Sequence, residues 1–190
     1  MEKRTNPNRI PVSPNSVDTQ EIVRKATSWG LLRSCYCLLG AIIDFPDTTQ
    51  ESLIRLWRDA NDNGHSRDND TLMQNYSEFE RLVGLETFAI PNPNKIRTEA
   101  DKRGFIKKVN ERALRAGFSL LTRPLVFAGY SEEYLKHLMK KAYCLNHFID
   151  NGEMTVAEIN DTLRDEFALE IATVDGVVHL YQFEKENSND

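Results

Sequence analysis

Residues 29–45 read WGLLRSCYCLLGAIIDF, the longest apolar run in the chain, with a single internal charge, Arg33, before Asp44. A segment that is apolar on nearly every side belongs in the middle of a packed domain, and its length suits a helix. Upstream, Asp18 offers an N-cap with Glu21 three residues on, so the helix is predicted from Thr19 to about Asp44. Ile22, Trp29, Leu32, Tyr36, Leu39 and Ile43 recur at three-to-four spacing and form its densest face. Gly30 and Gly40 mark places for a bend or a close neighbour. Phe45-Pro46 ends the helix, because the residue before proline is driven out of the α region.

Outward from this run, Thr48 with Glu51 predicts a capping box for a short helix through Leu53, Ile54, Trp57 and Ala60. A third helix is predicted over about 71–83, with Gly84 as its stop, and a fourth over about 98–116, closed by Gly117. The apolar stretch 118–129 is broken by Pro124 and predicts a buried irregular connection. Ser131 caps a fifth helix to about Ile149, and Thr155 with Glu158 opens a sixth to about Phe167. Two strands, 169–174 and 177–183, then flank Asp175-Gly176, a pair suited to a type I′ hairpin turn. The expected fold is mostly α: a bundle of five to six helices in one domain, 18–183, with a small C-terminal β-hairpin at 169–183. The polar ends, 1–17 and 184–190, are expected to be disordered. An isolated hairpin is marginal in water, so it must pack on the helices or add to a partner's sheet, which makes an oligomer through the hairpin one expectation.

Forty per cent of the 190 residues are hydrophobic and the net charge is −5. That composition suits a globular domain and argues against a general polyanion binder. The N-terminus has no apolar signal segment, and the run at 29–45 is short for a membrane span, so a soluble cytoplasmic protein without membrane contact is expected. Cys35, Cys37 and Cys144 make an odd count, and neighbours two apart on a helix cannot pair with each other, so core thiols in a reducing compartment are expected.

Charge is segregated along the chain. Residues 95–141 carry twelve basic and five acidic groups, whereas 142–190 carry two and eleven. On the predicted fourth helix, Phe105, Ile106, Val109, Ala113 and Ala116 share one side, and Arg103, Lys107, Lys108, Arg112 and Arg115 take much of the rest. Arg123, Lys140 and Lys141 extend the basic content, and Phe127 and Tyr130 offer rings for base stacking if exposed. Three readings compete. The charges are balanced by the acidic C-terminal third folding against them; or the surface binds nucleic acid or another polyanion; or it docks an acidic protein partner. A non-catalytic binding or regulatory protein that works through this surface on a protein partner or polyanion is the leading expectation.

The loop at 59–70 places Asp59, Asn61, Asn63 and Asp70 at calcium-ligand spacing of an EF-hand loop, with Gly64 at the turn. Its twelfth position is Asp where the bidentate ligand is usually Glu, and the eighth is Ser66 where an apolar residue packs, so no metal is assigned. Cys144 and His147 stand one helical turn apart with no third ligand. There is no phosphate loop, G-x-S-x-G, H-E-x-x-H or C-x-x-C, so nothing asks for an enzyme and no cofactor is expected. Finally, Trp29, Cys35, Leu39-Gly40 and Thr49-Gln50 leading to Trp57, with Phe167-x-Leu169, form a pattern that resembles rod-shaped plant-virus coat subunits. That resemblance implies an acidic helical subunit packaging RNA along basic residues, and it carries the alternative of a nucleic-acid-binding or coat-like subunit. The Asp-Gly hairpin has no counterpart there, and no site residue is transferred.

Overall fold

The computed structural model describes residues 17–62, 70–86, 88–89, 92–93, 96–174 and 177–183. The chain is mostly helical, with a two-stranded antiparallel hairpin at its C-terminal end. In order it forms α1 (Val17–Ile43), α2 (Gln50–Ala60), α3 (Asp70–Leu82), α4 (Glu99–Phe127), α5 (Glu132–Asn151), α6 (Val156–Phe167), β1 (Leu169–Val174) and β2 (Val177–Gln182). The predicted tails, apart from Val17, and the Asp175-Gly176 turn lie outside the described residues.

α1 is the axis of the domain, but of the predicted face only Leu39 is fully buried. Trp29 is 40% exposed, and Ile22, Leu32, Tyr36 and Ile43 are only half-buried. The covered positions are instead Ala26, Gly30, Ser34, Cys35 and Cys37–Ile42. The reason is the close approach of α4. A Cβ on Gly30 would sit 2.5 Å from Ala113 Cβ, and one on Gly117 would sit 2.0 Å from Ser34 Oγ. Residues 30 and 34 of α1 thus meet 113 and 117 of α4, so the two helices run the same way and cross backbone to backbone. Small residues occupy the seam because large ones do not fit it, and the large apolar side chains of α1 are displaced to its flanks.

Gly117 therefore does not stop the fourth helix. α4 continues through Pro124 to Phe127, and the stop is Gly129 at φ +83°. Pro124 removes the donor for the Leu120 carbonyl, and Leu120 is 65% exposed, so that turn is open to water. Ala128 N–H closes the last turn on the Pro124 carbonyl at 2.8 Å.

The local start signals hold with small shifts. Thr49, not Thr48, caps α2, in a reciprocal box with Ser52; Thr48 Oγ1 instead donates to the Ile42 carbonyl at 2.8 Å. Thr98 with Asp101 opens α4 and Thr155 with Glu158 opens α6, while Ser131 accepts from Tyr134 N–H at the start of α5. Asp18 lies within α1, and Glu21 pairs with Arg24 at 2.8 Å and Lys25 at 3.3 Å.

The main core gathers Cys37, Leu38 and Leu39 of α1 with Leu53, Phe79, Phe118, Leu125, Leu138, Met139 and Leu163, and it extends under the hairpin through Leu169 and Ile171. A second, smaller cluster of Ala26, Ile96, Phe105 and Val109 joins the N-terminal halves of α1 and α4. Over Gln20–Ile43, α1 is long and apolar enough to cross a membrane by length and composition, since the helix outruns the 29–45 stretch; its C-terminal half is enclosed by the bundle. Cys35 and Cys37 are core thiols, pushed by burial from an ordinary 9.0 to about 11 and about 12. Arg33 is taken up at the α1–α5 contact. Its guanidinium donates to the Asn146 carbonyl at 2.6 Å and pairs with Asp150 at 2.9 Å.

Candidate partner-binding face on α4

The row Phe105, Val109, Ala113, Gly117, Leu121 and Leu125 is buried along the whole of α4. Residues four apart on a helix advance by about 40°, so the buried side rotates along it. At 100° per residue, Arg103 and Lys107 share a sector with Leu114, Phe118, Leu121 and Leu125. In the C-terminal half that sector is covered by the bundle; in the N-terminal half it faces solvent.

The eight basic residues singled out from the sequence accordingly divide in two. Arg103, Lys107 and Lys108 are exposed and Arg112 is half-buried. Among the described residues no carboxylate lies within ion-pair distance of any of these four. Lys140, on α5, is also exposed. The other three are built into the fold. Arg115 pairs with Glu111 at 2.7 Å, donates to the Glu86 carbonyl at 3.3 Å and lies 5.3 Å over the Phe88 ring. Arg123 lies over the rings of Tyr76 and Phe127, at 5.8 and 5.6 Å. Lys141 donates to the Asp44 carbonyl at 3.0 Å and lies 5.0 Å over Phe45. These three cations staple loops and helix ends through their packed stems and aromatic contacts.

The described acids of the C-terminal third make their ion pairs away from α4. Asp150 pairs with Arg33, Glu170 and Asp161 pair with Arg164, and Glu158 caps its own helix. None of these ion pairs reaches α4. The basic helix is therefore not neutralised by the acidic C-terminal segment among the described residues.

Phe127 and Tyr130 are not free stacking rings. Phe127 packs edge-on against Tyr76, and Tyr130 donates its hydroxyl to Asp59 at 3.1 Å, with burial raising that phenol to about 12. Trp29, which the sequence pattern assigned to the core, is exposed.

Of the residues at calcium spacing, Asp59 sits in the last turn of α2, pairs with Arg55 at 3.7 Å and Arg58 at 3.6 Å, and accepts the Tyr130 hydroxyl. Asn61 caps the same helix and donates its amide to the Trp57 carbonyl at 2.7 Å. Asn63 and the Asp70 side chain lie outside the described residues. No group of three metal-binding side chains converges among the described residues. His147 engages Asn151 at 3.1 Å, and Cys144, one turn away, is exposed.

The fold and face define a helical bundle with an appended hairpin and a cationic helix end. Comparison with family models, curated proteins and solved structures finds no match for this chain.

Proposed function

We propose that this chain is a non-catalytic binding protein that engages an anionic partner through the N-terminal half of α4, with Arg103, Lys107 and Lys108 as the contact cations and Arg112 at their edge. One observation carries the reading: Arg103, Lys107 and Lys108 face solvent, while Asp150, Asp161 and Glu170 of the acidic third pair with Arg33 and Arg164. Unpaired exposed cations gathered on one helix give long-range attraction, orientation and counterion release at little folding cost. Polyphosphate and a carboxylate-rich protein surface share the chemistry that would recognise them. Arg115, Arg123 and Lys141 leave the proposed contact set, because their charge is spent inside the fold.

The test is the affinity for single-stranded RNA as salt is raised, for the intact chain and for Arg103→Glu with Lys107→Glu and Lys108→Glu. A polyphosphate contact predicts steep loss of binding with salt, with the log–log slope flattened by about 2 in the triple variant, at roughly 0.7 per lost contact. An acidic protein partner predicts no RNA binding and a partner released by the same three changes. RNA binding with unchanged slope in the triple variant would overturn the assignment of this face.

A further inference from the structure

The two outer edges of the hairpin are treated differently. Phe183 N–H donates to the Ala168 carbonyl at 3.2 Å, which fixes the alternation of the ladder. With Leu169 opposite Gln182 and Ile171 opposite Leu180, the pairs 170–181, 172–179 and 174–177 exchange the interstrand hydrogen bonds. The backbone groups of 169, 171 and 173 therefore point to the outer edge of β1, and those of 178, 180 and 182 to the outer edge of β2. On β1 that edge is capped at its middle residue: Ile171 N–H donates to Asn160 Oδ1 at 2.8 Å, and the Ile171 carbonyl accepts the Tyr36 hydroxyl at 3.3 Å. On β2 no described group meets the backbone of Val178 or Leu180.

The open edge also lacks the usual protection. An exposed strand is normally blunted by charge, proline or a bulge. Val177–Phe183 reads VVHLYQF, with no proline and no Lys, Arg, Asp or Glu. Its solvent side is apolar as well: Val174, Val177 and Tyr181 are three of the six large apolar side chains exposed among the described residues.

We propose that β2 pairs antiparallel with β2 of a second copy, forming a four-stranded sheet across a two-fold axis at Leu180. Charge selects this occupant. β2 carries no Lys, Arg, Asp or Glu to pair with a basic or acidic peptide, and a second β2 carries none either. With Leu180 opposite Leu180 of the second copy, Val178 falls opposite Gln182 and His179 opposite Tyr181, so no like charges meet. Because Asn160 and Tyr36 take up both backbone groups of Ile171 at the middle of the β1 outer edge, further strand addition on that side is disfavoured at both ends of the assembled sheet. The cationic half of α4 is not consumed by this contact, so the pair would present that face twice.

The experiment is the mass of the full chain in solution by light scattering over a wide concentration range, with proline placed on each edge in turn. Intact protein should reach twice the chain mass of 21.8 kDa. Val178→Pro removes a donor from the open edge without touching the β1–β2 hydrogen bonds and should leave single chains; Thr173→Pro, on the capped strand, should leave the pair intact. Should Val178→Pro fail to fold by circular dichroism, His179→Lys with Tyr181→Lys decides, since both side chains are exposed and would set lysines opposite each other across the axis. Loss of the pair in that variant supports the interface. Single chains of intact protein at every concentration, or a pair that survives the double lysine variant, would overturn it.

Discussion

The two halves of α4 have the same helical geometry and opposite fates. From Glu99 to Arg112 the helix packs through the smaller cluster on the N-terminal half of α1 and Ile96; from Ala113 to Phe127 it contributes Leu114, Phe118, Leu121 and Leu125 to the main core of the bundle. Side chains in one angular sector are Arg103 and Lys107 in the first half and Leu114, Phe118, Leu121 and Leu125 in the second. The helix does not choose its face; its neighbours do. The half with few neighbours is free to carry charge, and the half with many cannot.

The largest test of that contrast is alkaline pH. Cys35, Cys37 and Tyr76 all belong to the bundle half, with Tyr76 raised by burial from 10.0 to about 12. Each is held neutral in the fold, so the stability it contributes is complete below about pH 9 and is lost as pH climbs through 11 to 12. Circular dichroism against pH should show cooperative unfolding in that window. The counterpart at the other end is Glu21, partly exposed at the surface and held at about 2 mainly by its hydrogen bond to Arg24; its contribution fades only as pH falls from 4.5 to 2, and the acid response should be slight.

Next in size are the aromatic anchors. Phe118→Ala empties the main core, where the ring is fully buried and edge-on to Tyr143, and should cost about 3–5 kcal/mol in denaturant unfolding. Phe105→Ala opens a cluster of few residues that can relax, and should cost clearly less. Equal losses would mean the N-terminal half is as tightly held as the bundle.

The glycines should differ in sign. Gly117→Ala drives a methyl into Ser34 at the helix crossing and should destabilise by about 1–3 kcal/mol. Gly104→Ala meets nothing within 4 Å and should stabilise by about 0.5–1 kcal/mol through helix propensity. Thermal melts of the two variants therefore move in opposite directions. A shift in the same direction would break the assignment of Gly117 to the seam.

Smallest is the difference between two arginines. Arg115→Ala loses a ring contact and an ion pair and should cost about 1 kcal/mol, whereas Arg103→Ala should stay within about 0.5 kcal/mol of the intact chain. Binding should respond the other way, with Arg103 mattering and Arg115 not.

Much of this molecule was legible in the chain itself. Periodicity, capping residues and the Asp-Gly pair determined six helices and a hairpin in the right order, and the two cysteines of the apolar run were readable as core. Those are local signals, set within a few residues by backbone hydrogen bonding and side-chain spacing. Gly117 misled because a glycine that ends a helix and one that admits another helix look alike in sequence. Trp29 misled because spacing tells which residues share a side but not whether anything lies against it. For the same reason the eight basic residues singled out between 103 and 141 read as one surface, although aromatic rings and loop carbonyls, brought in from distant positions, claim Arg115, Arg123 and Lys141. The capped and open edges of the hairpin, likewise, depend on Asn160 and Tyr36 arriving from other helices. What only the tertiary structure decided is thus occupancy: which neighbours fill the space around each side chain, a property of contacts between segments far apart in the chain.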